Sequence, residues 1–537
     1  MSLPGSSRTR TILLFVGVMV IACAPIWSVD RFVNQDGSPH LYNAYLAIEI
    51  LKGNDTIREF AAINPHLTPN LTGHVGLALL LFLFSPFTVT KIALTLLFMS
   101  FVASVLWLRG QVSGYDGMAT ILLFAAAIGL NWLWLLGFYN FTLSAAGYAF
   151  TLGLWWRWRE RISLIRGITL LILIVFTFLS HIVGFVLLAG SIVFLTLAYV
   201  RALPRRSIVS TGLTLGFTLP LLANHLLFTE SAGGLAPKWQ FLNDGISLYG
   251  LLMQFVSADP LTIMGRRALP FVDTVSGSFI LLSPSFWLFI SIGLLLVATF
   301  KYAATLERPD QVRWAGLAAA ILLLGVIAPD DMGSQGSYLR ERVLLLGAVS
   351  LTPVFLIAGS KTRVVATVCL GFVVAFQTAA VWEYSRRSNA FAAEFLPAAE
   401  AVSATESVAG VYFVDRSSRF RPIPEASAGP LLGIGKNGPV WDNYEFGFSV
   451  FPVTARTRDQ RTFVSNFREA STFDLSDSST SVPEKLARLT AVLEKDHDRI
   501  DVLIVWNEIA GFAPIREKWF ADEAYFVSGR LSAYRHR

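Results

Sequence analysis

Charged residues and cysteines are both scarce in this 537-residue chain. Asp, Glu, Lys and Arg make up 15% of it, whereas soluble domains carry roughly 25%. The two cysteines, Cys23 and Cys369, fall in apolar segments, so neither a disulfide framework nor a thiolate metal site is expected. The sequence also lacks a Walker loop, an HExxH or GxSxG motif and a dinucleotide fingerprint. The charge deficit excludes an ordinary soluble protein.

Long apolar runs take the place of the missing charge. The chain is 54% hydrophobic with a mean hydropathy of +0.56. Its apolar runs recur at lengths of about 17–22 residues, which is what a hydrocarbon core of about 30 Å requires. The net charge of +6 is expected of the cytoplasmic loops of such a protein, so it does not indicate a nucleic-acid partner. These features predict an all-α polytopic membrane protein.

The distribution of basic residues predicts the topology. Arg8 and Arg10 place the start of the first span, Thr11–Val29, in the cytoplasm, and Pro25 argues for an uncleaved signal anchor. Alternation of basic and non-basic loops then gives about eleven transmembrane helices, with the C-terminus outside. Four apolar runs lie between residues 73 and 156. The chain enters this region outside the membrane and leaves it in the cytoplasm, which requires an odd number of crossings, so we expect three. One of the four runs, such as the short Val75–Phe84, is therefore expected to be re-entrant or peripheral.

The composition changes sharply after residue 382. We expect a transmembrane domain at 1–382, with an outer-face loop at 30–74 that carries an interfacial amphipathic helix at about 39–52. Residues 383–537 are polar and predict a small extracytoplasmic α/β domain. Its expected parts are buried strands at Gly410–Asp415 and Ile500–Trp506, an amphipathic helix at Pro483–Lys495 and a mobile loop at Ser471–Ser481.

Asp36 is the strongest catalytic candidate in the outer loop. It lies just beyond the first span, in a tight polar turn with Gly37 and Pro39. A carboxylate there could act as a general base on a hydroxyl or hold a divalent cation. The alternative is that Asp36 simply caps the following helix and interacts with its dipole.

The other polar residues of the loop are weaker candidates for substrate contacts. His40, His66 and His74 match no standard ligand spacing, so the sequence does not predict a zinc site. Solvated or interfacial histidines are the simpler interpretation. Asn70, like the Asn64-Pro65-His66 segment, indicates an irregular backbone, which suits a substrate-shaping loop as well as a plain connector.

Two further places carry polar residues beside apolar spans. His181 lies between two very apolar runs, where a histidine is either functional or satisfied at a turn. Arg340, Glu341 and Arg342 end the external loop Pro329–Arg342. Guanidinium groups suit bidentate phosphate contacts, so Arg340 and Arg342 could hold the phosphate of a lipid-linked donor. Arginine at a membrane edge is otherwise often a headgroup anchor.

The layout of the chain resembles that of the GT-C superfamily of integral-membrane glycosyltransferases. It has one span, a large outer loop with an acid just beyond that span, many further spans and an external C-terminal domain. Short segments are also similar to bacterial members of unassigned substrate, namely residues 35–44, Asn64–His74, Gly137–Phe141, Ser180-His181 and Tyr338–Arg342. The family usually has paired acids in this loop, whereas Asp36 has no adjacent acid. The requirement for a divalent cation therefore stays open.

The resemblance implies a mechanism. A polyprenyl-phosphate sugar would be the donor, with its phosphate near Arg340 and Arg342, and a glycan or lipid hydroxyl would be the acceptor. Asp36 would be the general base of an inverting transfer at the outer face of a bacterial inner membrane. His40, His66, Asn70, His74, His181 and Glu341 would contact substrate.

Two other classes of function fit the composition. A lipid or polysaccharide transporter or flippase would place ionisable residues at mid-span, but the spans here are nearly free of charge. A non-enzymatic scaffold for envelope assembly would use the external domain for binding. Because polarity is concentrated in the outer loops, the transferase ranks first.

Overall fold

The computed structural model describes residues 5–228, 261–263, 283–303, 309–330, 332, 337–356, 361–415, 420–475 and 482–537. These residues belong to two compact units. The α/β unit contains Ser28–Ala93 and Tyr384–Arg537, and the helical unit contains Met1–Trp27, Leu94–Phe228 and Gly233–Glu383. The predicted outer loop thus groups with the C-terminal region and not with the helices that flank it in sequence. The predicted boundary at 382/383 for the membrane domain itself stays a prediction.

The described helices and strands are numbered in chain order. The helices are α1 (Gly5–Trp27), α2 (Gly37–Lys52), α3 (Asp55–Phe60), α4 (Leu71–Leu81), α5 (Pro86–Ser113), α6 (Met118–Gly129), α7 (Trp132–Leu136), α8 (Tyr139–Trp158), α9 (Leu164–Ser180), α10 (Ile182–Ala198), α11 (Arg205–Gly216), α12 (Leu219–Phe228), α13 (Pro284–Ala303), α14 (Pro309–Ile327), α15 (Leu339–Leu351), α16 (Lys361–Phe395), α17 (Ala398–Ala401), α18 (Arg458–Ser471), α19 (Val482–Asp496) and α20 (Ala513–Arg516). The strands are β1 (Ala61–Ile63), β2 (Val408–Val414), β3 (Val453–Ala455), β4 (Thr472–Asp474), β5 (Val502–Trp506), β6 (Phe526–Ser528) and β7 (Leu531–Arg535).

Several helices are suited to a membrane. Among the described residues, five helical segments are long and apolar enough to cross one: Pro86–Ser113, Arg205–Leu227, Pro284–Lys301, Asp310–Ile327 and Lys361–Ala401. Shorter apolar helices accompany them, including α9 and α10. The predicted total of about eleven crossings, which rests on charge alternation, stays a prediction. The 11 residues of α4 extend only about 16 Å at 1.5 Å per residue, which fits the expectation that Val75–Phe84 does not span.

Small residues allow close helix packing in the helical unit. A Cβ at Gly325 on α14 would lie 2.8 Å from the Leu344 side chain on α15, and one at Gly347 would lie 2.7 Å from Leu322. On α10, a Cβ at Gly184 would collide with Ser144 of α8. Such glycines let backbones approach closely, as in other membrane helix pairs. They allow close packing of α10 on α8 and of α15 on α14, and α10 and α15 begin beside candidate site residues.

A five-stranded sheet forms the core of the α/β unit, in the order β4-β2-β5-β7-β6. The buried strands β2 and β5 pair in parallel, with Val408 opposite Val502. The strands predicted at Gly410–Asp415 and Ile500–Trp506 are therefore present. The helix predicted at Pro483–Lys495 is α19, whose buried leucines recur at helical spacing.

The segment predicted as a mobile loop, Ser471–Ser481, is only partly described, and its first part is not a loop. Ser471 ends α18, and β4 follows at Thr472–Asp474. This strand pairs in parallel with β2, and Phe473 stacks on Phe413 with 4.6 Å between ring centroids. Burial of one aromatic ring on a sheet thus outweighs the polar composition that suggested a loop. Residues 476–481 lie outside the described part of the chain.

The outer loop is built into the α/β unit. Strand β1 pairs antiparallel with β3, with Ala61 opposite Ala455. The Tyr45 hydroxyl donates to the Lys436 carbonyl oxygen over 3.0 Å, and the Asn54 amide donates to Asn437 over 2.9 Å. These contacts connect segments almost four hundred positions apart in sequence.

Helix α2 matches the helix expected at about 39–52, but its surroundings differ from those of an amphipathic surface helix. Asn43, which lies off the apolar stripe, is fully buried. Its side chain contacts the C-terminal part of the α/β unit through Glu445 and Asn443. Protein therefore covers the polar side of α2 at Asn43, whereas Lys52 near its C-terminus is exposed. A position of this helix at the membrane interface stays a prediction.

Candidate functional site

Asp36 occupies the N-cap position of α2 and is half-buried. Its backbone is helical (φ −90°, ψ −13°), and its side chain makes no capping hydrogen bond to the first turn. A capping acid normally has an extended backbone and accepts a hydrogen bond from an amide two or three residues later. The capping alternative is therefore not realised in this helix, although the favourable interaction of a carboxylate with the helix N-terminus persists.

One turn further along α2, three buried side chains form a group that we call the His–Glu cluster: His40, His74 and Glu445. The two carboxylate oxygens of Glu445 face different histidines. His40 Nδ1 forms an ion pair with Oε1, and His74 Nε2 lies 3.0 Å from Oε2. The imidazole rings meet edge to face with their centroids 4.9 Å apart. One potential ligand atom from each residue lies within 4.8 Å of the others.

Amide and carbonyl groups surround the His–Glu cluster. The Asn43 side-chain amide donates to Oε2 of Glu445, and the Asn443 amide donates to Asn43 Oδ1 over 2.9 Å. On the far side of the His74 ring, Nδ1 lies 2.6 Å from the carbonyl oxygen of Asn70. Buried polar groups supported in this way hold their orientation, because breaking one contact leaves others without a partner in a dry environment.

The electrostatics of the cluster favour ionised Glu445. Burial alone would raise the pKa of this carboxyl group, but the neighbouring His40 and His74 outweigh that effect and lower the pKa from 4.5 to about 2. A fully buried carboxylate is therefore retained because each of its oxygens faces an imidazole nitrogen.

Glu445 is the residue that sequence reasoning missed. It follows Asp442, Asn443 and Tyr444 in a short segment whose acids and amides are all buried. The only sequence signal was this group of polar residues among aromatic ones. The pairing with His40 and His74 spans about four hundred positions and cannot be inferred from ligand spacing.

Of the other candidates in the outer loop, His66 is not part of the His–Glu cluster, whereas Asn70 supports it through His74. His66 is exposed, and its backbone amide donates to Asn64 Oδ1 over 3.0 Å. Asn70 has a left-handed backbone (φ 69°) at the N-cap of α4. That conformation is uncommon outside glycine, although asparagine adopts it more readily than most residues. It presents the Asn70 carbonyl to His74.

In the helical unit, two residues that were separate candidates in the sequence, His181 and Arg342, are in direct contact. Arg342 Nη1 lies 2.7 Å from His181 Nε2. The buried guanidinium also lies over the Phe138 ring, 4.6 Å from its centroid, and 5.5 Å from that of Phe141. The start of α15 thus contacts two of the segments that resemble GT-C members, Gly137–Phe141 and Ser180-His181.

The backbone geometry explains this meeting. The chain breaks between α9 and α10 at His181, whose Nδ1 accepts a hydrogen bond from the Val183 amide over 3.1 Å. Tyr338 precedes α15 with a left-handed backbone (φ 61°). Its ring packs edge to face on Trp132, with centroids 4.7 Å apart. The helix start that carries Arg340 and Arg342 is therefore held by aromatic packing.

The contacts of His181 contain a conflict. Backbone N–H and guanidinium groups only donate, and each faces one of its ring nitrogens. A neutral imidazole carries one N–H, so it can accept at only one nitrogen. Only one of the two contacts can therefore be a hydrogen bond at a time.

Arg340 and Glu341 complete the predicted set. Arg340 Nη1, in the first turn of α15, lies 3.4 Å from Oδ1 of Asp330 in the preceding loop, so the two form an ion pair. Glu341 is half-buried in the first turn of α15, where a carboxylate is favoured by the helix dipole. Asp36 belongs to the α/β unit and Arg342 to the helical unit, so a cavity shared by the two stays a prediction.

Comparison of the sequence with models of known families and with characterised proteins gives no match. Comparison of the structure does. ArnT from Cupriavidus metallidurans in the apo state matches with a TM-score of 0.52 and 12% identity over 98% of each chain. The same protein bound to undecaprenyl phosphate matches with a TM-score of 0.51 and 11% identity over 97% of each chain. Arabinofuranosyltransferase AftD from Mycobacteria gives a lower TM-score of 0.48 at 12% identity, over 97% of this chain and 40% of that one.

The match to ArnT extends over nearly the whole of both chains, so it concerns the complete arrangement and not a shared bundle of a few helices. At 12% identity it shows the fold alone. Together with the apolar helices, it indicates an integral membrane protein. The chain has the fold of the GT-C membrane glycosyltransferases.

Proposed function

We propose that the chain is a glycosyltransferase that moves a sugar from a polyprenyl-phosphate donor to an acceptor hydroxyl at the outer face of the membrane. The observation that carries the proposal is the whole-chain match to ArnT, one structure of which holds undecaprenyl phosphate. A lipid phosphate is the leaving group that such a donor would release. The localisation that follows is a bacterial inner membrane with a cytoplasmic N-terminus and an extracytoplasmic C-terminal region.

The surroundings of Arg342 support a phosphate-binding role. Its guanidinium is buried between two phenylalanine rings and an imidazole. A donor phosphate at this place would accept hydrogen bonds from Arg342 in the bidentate geometry that guanidinium groups favour. Arg340, which lies in the same helix start as Arg342 and is paired with Asp330, would add a second positive charge.

A bound phosphate would also remove the conflict at His181. With Arg342 turned to the phosphate, Nδ1 of His181 could keep its hydrogen bond from Val183, and Nε2–H could donate to a phosphate oxygen. Fixed donors of this kind stabilise the negative charge that develops on the departing phosphate. His181 is thus proposed as a second phosphate contact.

Asp36 is proposed as the general base. Its carboxylate would take the proton of the acceptor hydroxyl while that oxygen attacks the anomeric carbon of the donor sugar. The bond from the anomeric carbon to the phosphate oxygen breaks, polyprenyl phosphate leaves with the electron pair, and the configuration at the carbon inverts. The half-buried Asp36 side chain lies at the N-terminus of α2, in the predicted outer loop, and makes no helix-capping hydrogen bond there.

Incubation of the purified protein in vesicles with radiolabelled polyprenyl-phosphate sugars tests the proposal. We expect covalent transfer of label to an acceptor hydroxyl, together with release of polyprenyl phosphate. Movement of intact donor across the vesicle without transfer would identify a transporter. Absence of both, for a panel of donor sugars and envelope acceptors, would favour a scaffold. Either of these outcomes would overturn the enzyme assignment.

A further inference from the structure

We propose that the His–Glu cluster is a binding site for a divalent transition metal of the zinc class. The proposal does not depend on the glycosyltransferase assignment. The site is made by His40 Nδ1, His74 Nε2 and the carboxylate of Glu445, all within the α/β unit. Two histidines come from the outer loop and the glutamate comes from the C-terminal region. The ion would therefore connect two segments that are distant in sequence and hold α2 one turn away from Asp36.

The orientation of His74 is the first argument. Its Nδ1 lies 2.6 Å from the Asn70 carbonyl oxygen, which can only accept a hydrogen bond, so Nδ1 carries the proton. In the neutral ring, Nε2 then presents a lone pair. That lone pair points at Glu445 Oε2, 3.0 Å away, which is a second acceptor. Two acceptors at this distance require a cation between them, either a proton on Nε2 or a metal ion.

The ligand chemistry is the second argument. Two imidazole nitrogens with one carboxylate oxygen form a set that binds zinc and related divalent ions. Zinc-bound atoms lie about 2.0–2.2 Å from the metal, so in a tetrahedral site they lie about 3.3–3.6 Å from one another. The three potential ligand atoms lie within 4.8 Å of one another, and Nε2 of His74 is 3.0 Å from Oε2. Small side-chain adjustments are enough, and a water would complete the tetrahedron.

The surroundings of the ligands are the third argument. Metal-bound histidines usually donate their second N–H to a carbonyl or carboxylate, which fixes the tautomer and the ring orientation. Nδ1 of His74 does this with Asn70, whose left-handed backbone presents the carbonyl. The Asn43 amide donates to the Glu445 carboxylate and is itself held by Asn443. All three ligands are buried, so a bound ion would be shielded from solvent.

The alternative is a cluster in which protons replace the metal and one or both histidines are imidazolium ions. Both forms place positive charge between the same atoms, so geometry does not distinguish them. They differ in composition, because only the metal form retains a stoichiometric ion through purification. They also differ in spectrum, because Co²⁺ in a tetrahedral site of nitrogen and oxygen ligands has intense visible absorption bands.

The experiment is the metal content of the full-length protein purified in detergent from cells grown with zinc, cobalt, manganese and nickel. Mass spectrometry of the elements should find about one zinc-class ion per chain, as expected for a single three-ligand site. Protein produced with cobalt should show the tetrahedral absorption bands. His66→Gln is the matched control, because His66 lies in the same loop but is exposed, and it should retain the ion. His74→Gln should lose at least nine-tenths of it.

Two results would overturn the proposal. One is wild-type protein with a background level of every tested metal and no Co²⁺ spectrum, which would identify the proton-bridged cluster. The other is full metal content in His74→Gln, which would place the ion elsewhere. Because the wild-type content and spectrum need no variant, the proposal stays testable even if His74→Gln fails to fold.

Discussion

Arg342 and His181 touch through groups that cannot both be satisfied: Nη1 lies 2.7 Å from an imidazole nitrogen whose ring already faces a backbone donor on its other side. The two residues are 161 positions apart in sequence and come from the starts of different helices. The proposed donor phosphate would resolve this arrangement, because an anion accepts from both side chains at once.

The first prediction concerns the shape of the Arg342 side chain. Arg342→Lys keeps the positive charge but removes the planar fork that binds phosphate through two hydrogen bonds. We expect kcat/KM for the polyprenyl-phosphate donor to fall about 10- to 100-fold, corresponding to about 1.5–3 kcal/mol for charge-assisted hydrogen bonds. Initial transfer rates measured over a range of donor concentrations provide the readout.

The matched control for Arg342→Lys is Arg488→Lys. Arg488 is an exposed arginine on α19, and its partner Glu484 is also exposed. This variant should transfer sugar at the wild-type rate. Wild-type donor kinetics in Arg342→Lys would exclude bidentate phosphate binding by this side chain.

The second prediction concerns Asp36. Asp36→Asn keeps the size of the side chain but removes the carboxylate that would accept the acceptor proton. General-base catalysis contributes typically about 10²- to 10⁴-fold, so we expect a loss of kcat of at least about 100-fold with little change in the melting temperature. Stability should change little because the amide has the size of the carboxyl group and no helix-capping bond is lost in α2.

Asp55→Asn is the control for Asp36→Asn, since Asp55 lies in the same loop with a side chain that is 93% exposed. It should retain full activity. If Asp36→Asn transferred sugar as fast as Asp55→Asn, the base would be another group. A lower melting temperature in Asp36→Asn alone would instead point to a structural role through the helix dipole.

Local patterns in the sequence were sufficient to predict many individual elements. The buried strands around Val411 and Ile504 and the leucine stripe of α19 follow from short-range periodicity, so they could be read from the sequence. The break at His181 is likewise a local feature, namely one polar pair between apolar runs. The overall GT-C fold was inferred from the order of such features along the chain.

Long-range pairings were not accessible in the same way. Glu445 has no local signal that relates it to His40, and a helix that appears amphipathic in isolation carries a buried Asn43 because a distant segment covers it. β4 was missed for the same reason: Phe473 is stabilised by a neighbour from β2 that is close only in the fold. Metal-ligand spacing fails as a guide when ligands come from segments about four hundred positions apart.

The third prediction concerns Asn43. Its amide donates to the Glu445 carboxylate, and both residues are fully buried. Asn43→Asp would replace this donor by a second carboxylate in the same dry environment, where like charges repel strongly. We expect a destabilisation of about 3–5 kcal/mol, the range seen when a buried charge is left uncompensated, measured as a lower melting temperature at pH 7.5.

The control for Asn43→Asp is the same substitution at Asn389. Its side-chain oxygen accepts a hydrogen bond from the Arg31 amide over 3.0 Å, and an aspartate would preserve that contact. Asn389→Asp should melt within about 1 °C of the wild type, since most partly exposed substitutions change stability by less than about 0.5 kcal/mol. Equal melting temperatures for the two variants would show that the Asn43–Glu445 contact contributes little to the fold.

The fourth prediction is a dependence of stability on pH that originates at Asp442. This carboxylate is buried in the α/β unit, where desolvation raises its pKa from 3.8 to about 6, and the Tyr412 hydroxyl donates to its Oδ2 over 2.7 Å. An acid with a raised pKa in the folded state stabilises the fold fully below its unfolded pKa and loses that contribution as pH rises through the folded value. The wild type should therefore lose stability between about pH 4 and pH 6.

Asp442→Asn, which can still accept from Tyr412, should melt close to the wild type at pH 4 and a few °C above it at pH 7. Asp498→Asn, a substitution at an exposed acid of the same unit, should show no such crossover. Parallel melting curves for wild type and Asp442→Asn across this range would mean that Asp442 is ionised in the fold with no penalty from burial.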